Sequence, residues 1–223
     1  MGYEKLGRRD IARLVAADIE DGAYVNLGIG IPTQVSAFLP PGRDVILHTE
    51  NGIVGMGPGD PGAPLDLDLI NASKEAVTLL PGASITDHVV SFAMMRGGHL
   101  DLTVLGAFQV SEKGDLANWD TGAADTIPAV GGAMDLVAGA RQVFVTMEHV
   151  TKDGQPKIVR ECTYPLTGAR VVDRIYTDLA ILDVTPAGMQ VRAMVAGLAF
   201  GELQALTGCP LALDPGWRTL SVH

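Results

Sequence analysis

From residue 8 to residue 47 the chain reads helix, strand, turn, helix, strand, and this order constrains the fold more than any other feature. Ile11, Leu14, Val15 and Ile19 recur at helical spacing and predict an amphipathic helix from Arg8 to Glu20, closed by Asp21-Gly22. Tyr24 to Leu27 reads as a short strand that runs into the turn Gly28-Ile29-Gly30. Pro32 suits the first turn of a second helix reaching about Leu39, and Pro40-Pro41 stops it. Val45 to Leu47 is the next apolar strand. Strands and helices alternate in this way in α/β proteins.

Further along, the Gly- and Pro-rich stretch from Gly55 to Pro64 reads as a loop, and Ala76 to Leu80 as a strand ended by Pro81-Gly82. Helices are expected at Ser91 to Met95, at Ala133 to Ala138 behind Gly131-Gly132, and last at Phe200 to Leu206. Strands are expected at Leu102 to Leu105 and Val143 to Met147, with a hairpin turn at Ser111 to Gly114 and a continuation at Ile158-Val159 after a turn at 152–155. Leu179 to Val184 and Met189 to Val195 flank Pro186-Ala187-Gly188 as a hairpin. The expected fold is α/β: a single domain, residues 1–223, around a mixed, largely parallel sheet.

Composition narrows the function. A formal net charge of -10 argues against nucleic-acid binding, which needs a basic surface. Cys162 and Cys209 lack metal-site or disulfide-framework spacing, so a reducing compartment is expected. The N-terminal segment reads as the start of an amphipathic helix rather than a signal peptide, and no apolar run reaches the ~18 residues of a membrane span. A cytoplasmic location, with no membrane contact, is the expectation.

Glu50 is the foremost candidate for chemistry. It follows an apolar strand and precedes Asn51-Gly52 and a glycine-rich stretch. It reads either as a carboxylate held at a sheet edge beside space for a bulky ligand, or as a solvated residue of an Asn-Gly hairpin turn. Lys74 could neutralise a phosphate or carboxylate, or simply be solvated. Asn26, ahead of the Gly28-Ile29-Gly30 turn, could donate to an oxyanion or bond its own turn. Gly131 and Gly132 before a helix offer backbone N–H groups to an anion, or serve only as a turn. No dinucleotide fingerprint completes itself after Gly30, no serine sits in a nucleophile elbow, and the five histidines have no metal-ligand spacing, so no metal is expected.

The order of these segments carries a resemblance. Asn26-Leu27-Gly28-Ile29-Gly30-Ile31-Pro32, then Glu50-Asn51-Gly52-Ile53-Val54-Gly55-Met56-Gly57-Pro58, then Asp68-Leu69-Ile70-Asn71-Ala72-Ser73-Lys74 resembles the B subunit of family I 3-oxoacid CoA-transferases. Met95-Arg96-Gly97-Gly98-His99, Gly131-Gly132-Ala133-Met134-Asp135-Leu136 and Pro165-Leu166-Thr167-Gly168 extend it, so that it covers about Leu6 to Pro210. Asn118-Trp119-Asp120-Thr121-Gly122 and Ile127-Pro128-Ala129-Val130 are similar to the 3-oxoadipate type. Thr49 stands where the family usually has Ser, and Ser73 where it usually has Gly.

The resemblance implies the CoA-transferase (isomerase-like) fold and transfer of CoA from succinyl-CoA to a 3-oxoacid, most simply 3-oxoadipate, through a glutamyl-CoA thioester on Glu50. CoA thioester is then a substrate and no cofactor is held permanently. Asn26 and the N–H groups of Gly131 or Gly132 would meet oxyanions, and Lys74 the charge of CoA or substrate. A separate A subunit would complete the site, in an A2B2 assembly. The remote carboxylate of 3-oxoadipate would fall to Arg96 or to the partner. The rival substrate is acetoacetate or another short 3-oxoacid. A rival of another class is a ligand-sensing or sugar-phosphate-isomerase-like domain on a related fold.

Overall fold

The computed structural model describes residues 2–59, 62, 66, 68–123 and 127–220. Part of the expected Gly55 to Pro64 loop, and His223, lie outside the described residues. Helix α1 (Arg8–Asp18) buries Ile11, Ala12, Val15 and Ala16, the face its periodicity predicts. Strand β1 (Tyr24–Leu27) follows, then a 3-10 helix (Pro32–Phe38) rather than an α-helix, then β2 (Ile46–His48). With prolines at 32, 40 and 41, the segment has few residues in which to build α-turns.

β1 pairs in parallel with β2 on one side and with β5 (Leu102–Gly106) on the other. β5 pairs in parallel with β8 (Gln142–Met147), and β8 with β10 (Arg174–Thr177). The centre of the sheet is therefore the parallel run β10-β8-β5-β1-β2. From β1 the chain first steps to β2; later it steps the other way, from β5 to β8. Right-handed crossovers then put the intervening helices on opposite faces. Accordingly α1 packs against the 3-10 helix, and α2 (His88–Arg96) against α3 (Ala133–Gly139).

Antiparallel strands extend both flanks. On one side β3 (Ile53–Gly57) and β4 (Thr78–Ile85) follow β2. The Gly55 to Gly57 stretch expected as loop is thus a strand, bent by a register shift between Val54 and Met56 where Gly55 takes a φ of +83°. On the other side β11 (Ala180–Thr185) and β12 (Gly188–Val195) form the expected hairpin. After α4 (Phe200–Ala205) comes β13 (Leu211–Leu220), which pairs in parallel with β12 and which local sequence signals do not announce. A small separate sheet holds the hairpin β6 (Gln109–Ser111) and β7 (Leu116–Ala117), with β9 (Ile158–Val159) beside it.

Val25, Val104, Val145, Ile175 and Leu182 line one continuous apolar core. α1 is tied to it by polar bonds as well. The Asp18 carboxylate accepts from the Tyr176 hydroxyl at 2.7 Å and from Arg174 at 3.0 Å. Among the described residues no helix is long and apolar enough to cross a membrane.

Candidate active site

The step from β1 to β2 on one side and to β5 on the other makes a switch point, and the crevice beyond the C-terminal strand ends at such a point is where open α/β sheets bind ligands. A cavity of about 870 Å³ lies there. It is lined by the loop after β1, the ends of β2, β5 and β8, strand β3, the 71–77 segment and residues 129–133.

Glu50 is in the lining. It begins the β2–β3 hairpin turn, in which Gly52 donates its N–H to Thr49 O at 3.0 Å and the Thr49 N–H donates to Ile53 O at 2.8 Å. Glu50 is thus a hairpin residue that also lines the cavity. Gly52 has a φ of +110°, and a Cβ there would run into the carbonyl oxygen of Thr86. The Thr49 hydroxyl is buried in the turn, bonding Asn51 Oδ1 and accepting from Ile53 N–H at 3.2 Å. Asn51 in turn donates to Ile70 O at 2.8 Å.

Gly132 reaches the carboxylate directly. Its N–H donates to Glu50 Oε2 at 3.1 Å. A Cβ on Gly132 would press into Glu50 Oε2 and stand 3.2 Å from the Phe92 ring of α2. Gly131 has a φ of +53°, and its open side faces Glu50 Oε1. Of the two glycines, it is the Gly132 N–H that makes the bond.

Asn26 lines the cavity but is only 3% exposed, and its amide nitrogen lies 3.2 Å from both His48 Nδ1 and His48 O. An amide NH2 has two hydrogens, so both are engaged here. That leaves Asn26 as the anchor of β2 instead of a free donor in the cavity. Since Nδ1 of His48 accepts, Nε2 carries the proton and donates to Ser91 Oγ at 3.0 Å. Ser91 donates onward to Thr49 O at 3.3 Å. Burial pushes the His48 pKa down to about 4, so the chain of bonds holds a neutral imidazole.

Lys74 lies in a turn with a φ of +63°, its N–H donating to Asn71 O at 2.9 Å. Ser73 and Glu75 on either side line the cavity; Lys74 is exposed and outside the lining. Arg96 also stands outside it, paired with Asp135. The cations in the lining are Arg8, Lys152 and Lys157, none of which stood out in the sequence. Lys152 lies in the turn after β8 and Lys157 directly ahead of β9, and this place beside strand ends is the local signal that could have marked them.

The coenzyme A transferase family model matches residues 8–198. The chain is 60% identical over 211 residues to the B subunit of 3-oxoadipate CoA-transferase from Acinetobacter baylyi, covering 95% of this chain and 97% of that protein. It is 62% identical over 208 residues to the protein of the same name in Pseudomonas putida, covering 93% and 97%. Among solved structures, the acyl-CoA transferase YdiF of Escherichia coli O157:H7 superposes with a TM-score of 0.74 at 20% identity, over 96% of this chain. The chain spans 43% of the YdiF chain. A variant of the decarboxylase AibA/AibB superposes with a TM-score of 0.68 at 18% identity, covering 95% of this chain and 88% of that one. These structural likenesses establish the fold; a decarboxylase among them means the fold alone does not choose the reaction.

Proposed function

Because this chain belongs to the coenzyme A transferase family, we propose that it moves CoA from succinyl-CoA to a 3-oxoacid, 3-oxoadipate foremost, through a covalent intermediate on Glu50. The observation that carries the reading is the Glu50 carboxylate at the switch-point cavity with the Gly132 N–H on its Oε2.

In the proposed cycle a Glu50 oxygen attacks the thioester carbonyl and expels CoA thiolate, leaving an acyl–glutamyl anhydride. The thiolate then attacks the glutamyl carbonyl. That forms glutamyl-CoA and releases the first acid as its carboxylate. The second acid reverses both steps. When the thiolate adds to the glutamyl carbonyl, negative charge builds on the oxygen that does not bridge to the acyl group. The Gly132 N–H already points at one Glu50 oxygen, so with the other oxygen as nucleophile the donor is in place before the charge forms. Thiolate and carboxylate are nucleophiles as they stand. A buried, neutral His48 that holds β2, rather than a base in the cavity, fits such chemistry. Asn26 acts in this scheme by fixing His48, and Lys74 meets the outer, phosphate-bearing part of CoA from its exposed turn.

An anhydride must be kept from water, and a partner supplies the cover. The relatives' names mark them as B subunits, which favours a working unit with an A subunit. Ile29, Ile85, Val89 and Ile127, 64–94% exposed, offer such a partner apolar surface. We place two copies of each subunit in the assembly. Both cysteines are free thiols, which suits a cytoplasmic setting.

Isotope exchange tests the relay. A covalent glutamyl-CoA releases succinate before any acceptor binds. The complex of this chain with its A subunit should therefore move labelled succinate into succinyl-CoA with no 3-oxoacid present. Transfer that requires both acids together would give no exchange and would overturn the covalent scheme.

A further inference from the structure

Glu50 stands at the β2 end of the cavity; Thr146, Glu148, Lys152 and Lys157 line it at the β8 end. In the order β8-β5-β1-β2 these ends are three strand steps apart, about 14 Å at ~4.8 Å per step. The transfer chemistry uses only the β2 end.

Lys157 is firmly based. Its N–H donates to His149 O at 3.2 Å, and its carbonyl accepts from Val110 N–H at 3.0 Å. The residue is half-buried, yet among the described residues its ammonium has no ion pair or hydrogen bond. Burial lowers its pKa, while the charges of Glu148 and Asp178 raise it. Asp178 is itself engaged by Lys5 at 2.8 Å and by His149 N–H at 2.7 Å. Thr146 is 2% exposed, and among the described residues its hydroxyl has no hydrogen-bond partner. An ammonium with no close ion pair and a buried hydroxyl with no partner among the described residues, both lining one cavity, make a polar spot suited to an anion.

Two anions enter a site of this kind: the phosphates of CoA and a carboxylate of the acid. Phosphates carry several charges, stay partly hydrated and suit the exposed Arg8 and Lys152. A single half-buried ammonium with a hydroxyl suits one carboxylate. We propose that Lys157, together with the Thr146 hydroxyl, binds the remote carboxylate of a dicarboxylic substrate while its other end reacts at Glu50. This rests on the CoA-transfer reading above. Lys157 is then a specificity residue, and it also offsets the charge of Glu148 at that end of the cavity.

The test is a competition. The complex with the A subunit receives succinyl-CoA as sole donor and an equal mixture of 3-oxoadipate and 3-oxohexanoate, which has a methyl group in place of the second carboxylate. The ratio of the two CoA products reports only the acceptor step, because the donor step is common. In Lys157→Met the ratio of dicarboxylic to monocarboxylic product should fall roughly 100-fold, the scale for losing one partner of a desolvated charge pair. Lys157→Arg should restore most of it, and Thr146→Val should lower it about tenfold. These two variants carry the test if Lys157→Met fails to fold. A ratio unmoved in all three, or an equal fall of both products, overturns the inference. A wild-type complex that never carries CoA on Glu50 would instead remove the reading beneath it.

Discussion

An alanine at Gly132 would put its methyl group against the Glu50 carboxylate and the Phe92 ring. The backbone there has a φ of -86°, which alanine adopts freely, so the disturbance falls on the side chain of Glu50 and not on the main chain. Gly132→Ala should cut kcat/KM by about 100-fold or more while the urea midpoint moves little. A folded variant of full activity would show that the Gly132 contact plays no part in the reaction. Much at this scale was legible beforehand. Glu50, Gly131 and Gly132 stood out by their place in the order of motifs, and the structure brings them together at one cavity. The partner of Asn26 was not legible. That its amide turns to His48 depends on β1 and β2 lying side by side in the register Asn26 to His48, a long-range pairing that local sequence does not encode. Lys157 was hidden for the same reason: its half-burial comes from β8 and the small sheet closing around it.

The elements show where local signals fail. Pro81-Gly82 predicts a strand end, yet it lies inside β4, and β13 likewise contains Pro215-Gly216. These are the two edges of the ten-stranded sheet. A proline has no N–H to donate to a neighbouring strand, so an edge tolerates it, and it discourages pairing with another molecule. Whether a strand is an edge is decided by the whole sheet. In the parallel centre, buried on both faces, apolar runs alone placed β1, β5 and β8 to within a residue or so.

The element scale also carries a pH prediction. His48 holds β2 to α2 through Ser91, and His149 lies just past β8 between Thr177 and Thr207. Burial pushes both pKa values down to about 4 from 6.5. The unfolded chain takes up protons near pH 6.5 while the folded one does not. Stability is therefore full above that pH and falls as pH drops toward 4, by up to about 3 kcal/mol for each histidine. Urea unfolding across this range should show the fall, and His48→Gln should flatten part of it. A level profile from pH 6.5 to 4 would contradict the assignment of His48 as neutral and buried.

At the scale of the molecule, the topology and the chemistry agree on one place. The chain steps from β1 to one side and returns to the other, and the turn that follows β2 delivers Glu50 to the resulting crevice. What the chain alone leaves open is the cover: apolar side chains such as Ile29 line the cavity yet stand 73% exposed. In the proposed assembly the A subunit covers that face. The most direct measurement joins these points. This chain is mixed with its A subunit and succinyl-CoA, without acceptor, and the peptides are mapped by mass spectrometry. The peptide that holds Glu50 should gain the mass of CoA less water. The gain should be absent in Glu50→Ala, absent from the chain alone, and discharged by 3-oxoadipate. A folded complex that turns over substrates with no adduct on that peptide would contradict the central claim.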